Sequence, residues 1–274
     1  MTQQQMNIQE NVDTNPRCPH VSSNSAPNIH SNVQVISIEG NIGSGKSTLL
    51  GFLRGKYENK EGLELTSTEG GKSNPYKVYF ANEPVDEWSN IKDKTTGETI
   101  LSKFYQNPAK YAFAFQMMAF ITRYNKLKIL YESICQDAKK NVDTQYIIFT
   151  ERCLYTDKYV FAKMLYDQSQ MEDVEFSIYN EWFESFSHTI PINKILYVRT
   201  NPEVCKQRVE VRNRDGEDAI QQSYLEQCHI YQERMINEEM ANTTLSLTLN
   251  GNEDVYNGNI WTTWHNNVIK FMCH

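Results

Sequence analysis

Gly40-Asn41-Ile42-Gly43-Ser44-Gly45-Lys46-Ser47 is the stretch whose residue types and spacing most directly imply chemistry. It satisfies G-x-x-x-x-G-K-[ST], a loop that wraps phosphates with backbone N–H groups. The glycines let those amides turn inward, and the N-terminus of the following helix adds positive dipole. Lys46 would reach the β- and γ-phosphates, and the Ser47 hydroxyl would sit on Mg²⁺. A nucleoside triphosphate is therefore expected here. On its own the loop suits motors, switches and kinases alike, so other residues must say what receives the phosphoryl group.

Charged residues that follow apolar runs supply candidates. Tyr76 to Ala81 reads as a strand and runs into Asn82-Glu83-Pro84-Val85-Asp86-Glu87-Trp88. Pro84 stops the strand. A carboxylate just past the C-terminal end of an α/β strand lies where such sheets bind ligands. Glu83 is thus a candidate general base, although the same position suits a solvated loop acid. Gln145 to Thr150 is another strand, ending in Glu151-Arg152-Cys153. Glu151 could hold Mg²⁺ directly or through water. Arg152 could brace phosphate oxygens or a catalytic carboxylate.

Between them, Pro108 to about Lys140 has a helical pattern. Gln116 and Arg123 fall on one face, two turns apart, among Phe113, Phe115, Met117, Met118 and Phe120. Gln offers both donor and acceptor and Arg five donors, which suits the edge of a base. The same spacing also describes an amphipathic helix with its polar side in water. Leu154 to Gln168 is helical, with Asp157 and Phe161 one turn apart. Further on, Arg208, Arg212 and Arg214 lie close to Gly216. Set beside a phosphate loop, they read as a lid that closes over phosphates and stabilises charge on a transferring group. The alternative is an exposed helix balanced by Glu210 and Asp215.

These side chains need a scaffold. Val33 to Ile38 is a β-branched run before the loop, and Thr48 opens the helix after it. Asn193 to Val198 is a fourth strand, with a helix beginning at Asn201-Pro202-Glu203. A helix over Ile220–Met240, a strand over Thr244–Leu249 and a helix over Val255–Phe271 complete the pattern. The glycine-containing stretch from Lys56 to Asn74 reads as a loop. Strands alternating with helices predict an α/β fold of the P-loop NTPase type: three layers, with a parallel sheet of about five strands and an arginine-rich lid.

Composition sets limits. The 274 residues, 39% hydrophobic, suffice for a large core. A net charge of −7 argues against a broad nucleic-acid surface. No apolar run approaches a membrane span. The cysteines (Cys18, Cys135, Cys153, Cys205, Cys228, Cys273) are scattered, which suits reduced thiols in the cytoplasm or nucleus. Residues 1–32 are rich in Gln, Asn, Ser and Pro and read as a disordered tail, with residues 33–274 as the folded domain. Arg17 is the tail's one arginine, beside Glu10 and Asp13, which is unlike a mitochondrial leader. Cys18-Pro19-His20 has no second ligand pair and reads as tail rather than a metal site.

Taken in order, G-N-I-G-S-G-K-S, E-P-V-D-E-W, the F-Q-x-x-A helix ending at Arg123, E-R-C-L-Y-T-D-K-Y-V-F, the R-x-x-x-R-x-R lid and Y-L-E-Q-C-H resemble the deoxynucleoside kinase family from about Val33 to Met272. The resemblance implies ATP-dependent phosphorylation of a nucleoside 5′-hydroxyl in salvage, with Mg²⁺, by a homodimer. It casts Glu83 as base, with Arg152 beside it and Glu151 as the Mg²⁺-associated acid. Gln116 would pair with the base edge, with Phe115 and Phe161 holding the ring. Tyr105 and Glu217 resemble the pair that holds the sugar 3′-hydroxyl. Trp88, Leu101 and Tyr224 resemble pocket-lining positions. Arg123 with Asp157 matches the deoxycytidine and deoxyguanosine kinase branch, which points away from thymidine. A thymidine or thymidylate kinase and an inactive structural relative are the competing readings. Cys153 in the E-R-S position, and Asp215-Gly216-Glu217 in the lid where relatives often have further acids, depart from the family pattern.

Overall fold

The computed structural model describes residues 31–58, 63–64, 75–214, 217–256 and 258–273. Residues 1–30 of the expected tail lie outside the described residues. Asn32, assigned to that tail, already belongs to the fold. Its carbonyl accepts the Tyr146 amide at 2.8 Å, and its side chain donates to the Thr144 carbonyl at 3.0 Å.

The elements run β1 (Val33–Glu39), α1 (Lys46–Tyr57), β2 (Leu63–Glu64), β3 (Pro75–Ala81), α2 (Val85–Asn90), α3 (Ile100–Gln106), α4 (Pro108–Lys140), β4 (Gln145–Glu151), α5 (Leu154–Thr156), a π-helical turn (Asp157–Ala162) and α6 (Lys163–Asp167). Then come α7 (Asp173–Phe186), β5 (Lys194–Arg199), α8 (Pro202–Arg212), α9 (Gln222–Arg234), a second π-helical turn (Met235–Glu239), β6 (Leu245–Asn250) and α10 (Ile260–Cys273).

The sheet order is β2-β3-β4-β1-β5-β6. The five strands expected from the sequence are all parallel. β2 is an antiparallel addition at the edge, within the stretch expected to be loop. The chain leaves β1 toward β3 and β4 on one side, then crosses to β5 and β6 on the other. β1 is therefore the switch point, where open α/β sheets form a ligand crevice at their carboxyl ends. Its run Val35, Ile36 and Ile38 is wholly buried, as a strand covered on both faces requires.

Two apolar layers cover the sheet. On one face α1 and α10 pack through Leu49, Leu53, Trp264 and Val268. On the other, α4 lays Phe120, Tyr124, Leu127, Tyr131 and Ile134 against Val35, Tyr146 and Ile148. α4 has 33 residues and so is about 50 Å long at 1.5 Å per residue. Pro108 opens it at a position where no amide partner is needed. Among the described residues no helix is long and apolar enough to cross a membrane.

The sequence reading differs from the structure at identifiable places. α1 runs to Tyr57, and α10 begins at Ile260 rather than Val255, because Gly251 to Val255 turns back over the phosphate loop. α2, α3 and α7 were not anticipated. α2 and α3 are too short to show a period. α7 buries only Tyr179 and Phe183, so its pattern is thin, although Glu172 and Glu175 form a capping box at its start.

Candidate active site

The phosphate loop joins β1 to α1 with Gly43 and Gly45 at positive φ (78° and 103°). A Cβ at Gly43 would meet the Cys205 carbonyl at 2.6 Å, so the loop can lie this close to α8 only with glycine there. Lys46 is 4% exposed and donates to the Asn41 carbonyl at 2.6 Å, curled back within the loop. Burial, and next the Arg152 guanidinium, lower its ammonium to about 8, with Glu151 and Glu83 opposing. Asn41 is tied to α9 through a bond to the Leu225 carbonyl at 2.7 Å. The Ser44 hydroxyl is buried without a partner among the described residues. Ile42 and Thr48 line the cavity in front of the loop, and Gly40 opens the loop at φ 144°.

Parallel register brings the carboxyl ends of β1, β3 and β4 level. Ile38 pairs with Glu151 and Ala81 with Thr150, so Glu83 and Arg152 emerge side by side. Glu83 Oε1 accepts from Arg152 Nη1 at 2.8 Å and from Arg123 Nη2 at 3.1 Å. Burial alone would raise the Glu83 carboxyl. Arg152, Arg123 and Lys46 outweigh it and hold the group well below the usual carboxylate range. Arg152 sits at φ 62°, left-handed for a non-glycine residue. Such strain costs on the order of 1–3 kcal/mol and concentrates where a side chain must be aimed. Here the guanidinium is aimed at Glu83, with a second bond to the Gly40 carbonyl at 3.2 Å.

Behind these groups lies a buried relay. Arg123 Nε donates to Asp157 Oδ2 at 2.8 Å, and Nη1 donates to the Glu151 carbonyl at 2.8 Å. Burial disfavours the Arg123 charge, but Asp157 and Glu83 more than compensate. Gln116 and Arg123 are 2% and 3% exposed, so the polar side of α4 faces the site and not water. That settles the ambiguity in its helical pattern. Asp157 and Phe161 project from the π-helical turn, which places both on the cavity wall. The Arg152 guanidinium lies 5.0 Å from the Phe161 ring centre.

Trp88, Leu101, Tyr105, Phe115, Gln116, Glu217 and Tyr224 line the same cavity, which measures about 600 Å³. Phe104 stacks on Phe115 with ring centres 4.7 Å apart, and Trp88 meets Phe115 edge-on at 5.5 Å. Trp88 Nε1 donates to Thr122 Oγ1 at 2.9 Å, which fixes the indole. Tyr105 meets Tyr224 edge-on at 6.0 Å. Burial, with the Glu217 carboxylate next, pushes the Tyr105 phenol up, so it remains a hydroxyl donor.

The arginines divide into two groups. Arg212 grips Glu217 through Nε at 3.0 Å and Nη2 at 2.7 Å, and Arg214 approaches Glu217 at 3.5 Å. Arg208 instead donates to the Gly251 carbonyl at 2.8 Å and the Glu253 carbonyl at 3.3 Å. It therefore fastens α8 to the loop after β6. Asp215 and Gly216, assigned to the lid, lie outside the described residues. Gly251, Glu253, Asp254 and Tyr256 of the β6 loop also line the cavity, and sequence reasoning missed them. Their only signal is Gly251 after a strand end: a Cβ there would meet the Ser44 carbonyl at 3.1 Å.

A divalent cation can be tested against the residues present. Ser47 Oγ lies 2.7 Å from Glu151 Oε1 at the start of α1. A hydroxyl and a carboxylate beside a phosphate loop match Mg²⁺, which takes few protein ligands and keeps water and phosphate oxygens. Among the described residues no group of three or more His, Cys, Asp or Glu could hold a metal by itself.

The cavity thus joins a phosphate cradle to an aromatic slot, with a carboxylate and two arginines where they meet. A family model for deoxynucleoside kinase matches residues 36–270. The chain is 29% identical over 259 residues to deoxycytidine kinase of Mus musculus, covering 86% of this chain and 90% of that protein. It is 28% identical over 278 residues to mitochondrial deoxyguanosine kinase of Xenopus laevis, covering 94% and 96%. It is 31% identical over 243 residues to a probable deoxycytidine kinase of fowlpox virus, covering 86% and 87%. On this match, and on a site that carries both a phosphate loop and a nucleoside-sized slot, the chain belongs to the deoxynucleoside kinase family and is a phosphotransferase acting on deoxynucleosides.

Proposed function

We propose that the enzyme transfers the γ-phosphoryl group of ATP to the 5′-hydroxyl of deoxycytidine or a purine deoxynucleoside, and discriminates against thymidine. The observation that carries this reading is the buried chain Asp157–Arg123–Glu83–Arg152 running from the aromatic slot to the phosphate loop. At its slot end, one Asp157 oxygen is held by Arg123, and the other accepts no hydrogen bond among the described residues. A free carboxylate oxygen suits the exocyclic amino group of cytosine or adenine. Thymine would offer it a carbonyl oxygen and a methyl group instead. Gln116, with a donor and an acceptor, takes the rest of the base edge, between Phe115 and Phe161. Tyr105 and Glu217 take the 3′-hydroxyl, with Trp88, Leu101 and Tyr224 closing the walls.

Glu83 is the general base. Its side chain is 13% exposed and fully ionised before substrate arrives. A nucleoside that displaces the last water pushes its carboxyl back up, toward a value at which it accepts the 5′-hydroxyl proton. Arg152 orients Glu83. The oxygen so activated attacks the γ-phosphorus in line. Lys46, Arg212 and Arg214 neutralise the spreading charge, and Arg208 holds the β6 loop against the donor side. Ser47 and Glu151 would hold Mg²⁺, which when bound neutralises charge on the phosphate oxygens.

The catalytic domain, expected over residues 33–274, takes in Asn32 as well on this reading. Homodimer formation is supported by an apolar stripe on α7. Val174, Ile178 and Trp182 recur one turn apart at 60%, 42% and 41% exposure, and α7 packs on α4, which exposes Ile129. A cytoplasmic place of action is supported by the free, buried thiols of Cys135, Cys153, Cys205 and Cys228, which suit a reducing compartment.

The test is kcat/KM for four deoxynucleosides with ATP. Losing a good base-edge pair costs about 1–3 kcal/mol, so thymidine is expected to fall at least about tenfold below the best substrate. Preferred phosphorylation of thymidine would overturn the assignment of Arg123 and Asp157.

A further inference from the structure

Glu39 ends β1 and stands directly before the phosphate loop, but it lies behind the cavity wall and is fully buried. A carboxylate in such a place is costly unless its oxygens are satisfied. Both are. Oε1 accepts from Ser37 Oγ at 2.5 Å, and Oε2 accepts from Thr156 Oγ1 at 2.6 Å. The two partners are hydroxyls, not cations. Hydroxyls repay the burial of a carboxylate less well than a cation would, so stability alone does not account for the residue.

What the bonds join does account for it. Ser37 and Glu39 share one face of β1 with Val35, the face that α4 covers. Thr156 ends α5 and directly precedes Asp157. The Glu39–Thr156 bond therefore ties the strand that feeds the phosphate loop to the segment that carries Arg152 and Asp157. Its neighbours make parallel ties. The Ile38 carbonyl accepts the Arg152 amide at 3.0 Å, and the Gly40 carbonyl accepts from the Arg152 guanidinium at 3.2 Å. Three successive residues thus grip one short segment. A non-glycine residue at φ 62° persists only where its surroundings over-determine it, and these ties do so for Arg152. Of the three, only the tie from Glu39 is made by side chains at both ends. Thr156 is itself fixed: it is fully buried, its amide donates to the Cys153 carbonyl at 3.1 Å, and the Cys153 sulfur lies 3.9 Å from its hydroxyl.

We propose that Glu39 is a positioning residue for phosphoryl transfer: through Thr156 it holds the Arg152–Asp157 segment against the phosphate loop, at the place from which Arg152 orients Glu83. This rests on the reading of Glu83 as the general base with Arg152 beside it. Because Glu39 is walled off from the cavity, its loss is felt in kcat and much less in substrate binding.

The test is steady-state kinetics with deoxycytidine and ATP, on variants whose folding is checked by urea denaturation. Thr156→Val removes the hydroxyl at nearly constant volume. It should lower kcat at least about tenfold, as a small misplacement of catalytic groups implies, with KM for ATP nearly unchanged. Thr156→Ser restores the hydroxyl. Glu39→Gln keeps the shape, and its amide can accept from one hydroxyl and donate to the other. Each of these two should retain most of the wild-type rate. Glu39→Leu should match Thr156→Val, and the double variant should be no slower than the slower single, as expected of two ends of one contact. Ser37→Ala breaks only the contact within β1 and should leave kcat nearly unchanged. Wild-type kcat in Thr156→Val, or an equal loss in Thr156→Ser, would overturn the proposal. Glu39→Gln as slow as Glu39→Leu would overturn it too, by showing that charge and not the bond matters. So would a lowered urea midpoint with the kcat of the folded enzyme intact. If Glu39→Leu does not fold, the Thr156 pair decides. If Glu83→Gln, measured in parallel, keeps its turnover, the base assignment fails, while the rescue pattern still decides whether Glu39 positions this segment.

Discussion

Arg123 and Asp157 offer a prediction whose size follows from burial. Their side chains are 4% and 2% exposed and share a 2.8 Å bond. Replacing Arg123 by Met leaves the Asp157 carboxylate buried without its direct partner and removes one of the two guanidiniums on Glu83. Breaking a buried pair from one side costs about 3–5 kcal/mol. Asp157→Ala is milder, because Arg123 keeps Glu83 at 3.1 Å and the Glu151 carbonyl at 2.8 Å. The lost bond to a charged group costs about 1.5–3 kcal/mol. In the double variant no carboxylate is stranded at position 157, so the double should be more stable than Arg123→Met alone. Non-additivity of roughly 0.5–3 kcal/mol is expected for residues in direct contact. Urea denaturation midpoints of the three variants and the wild type measure the cycle. Discrimination against thymidine should also narrow in the double variant, since the charge facing the thymine methyl group is gone. Strictly additive losses, with the double the least stable of all, would refute the reading of these residues as one buried charge pair.

Other consequences follow from the loop and the lid. Lys46 is lowered to about 8 in the free protein, so most of it is neutral at pH 8.5–9. A bound triphosphate favours the ammonium, so ATP binding there should take up protons and weaken as pH rises, an effect absent near pH 7. Calorimetry in buffers of different ionisation enthalpy reads the uptake, and its persistence in Lys46→Met would contradict this assignment. Glu217 holds Arg212 through both Nε and Nη2. A 3′-deoxy acceptor should therefore lose kcat as well as raise KM, and Arg212→Lys should shrink that difference; a pure KM effect would show that sugar recognition and the phosphate clamp are independent. Ile178→Asp on the exposed stripe of α7 should yield a monomer by sedimentation, and an unchanged dimer would place the interface elsewhere.

What the sequence made legible follows from locality. The phosphate loop is a continuous stretch whose glycine geometry is dictated by its own residues. Glu83, Glu151 and Arg152 were readable because they end apolar runs, and parallel register brings strand ends together. The side of α4 that carries Gln116 and Arg123 was ambiguous, since spacing gives a face but not what covers it; Phe104, Trp88 and Asp157 come from elsewhere in the chain. Tyr105, Glu217 and Tyr224 carry no local pattern that points to a sugar, and only the family resemblance suggested them. The Gly251–Tyr256 loop stayed hidden for the same reason: its closeness to Ser44 and Arg208 is made by β6 adding to the sheet edge. The bidentate Arg212–Glu217 contact likewise brings together α8 and the start of the next segment, which composition does not specify.

The central claim is that Glu83 takes the proton from the acceptor hydroxyl, and Glu83→Gln tests it most directly. The amide keeps the shape and can still accept from Arg152, but it cannot take a proton. With deoxycytidine and ATP the account predicts a fall in kcat of at least about 10²-fold with KM for the nucleoside much less affected. Turnover near that of the wild type, with the variant folded and binding ATP normally, would contradict it.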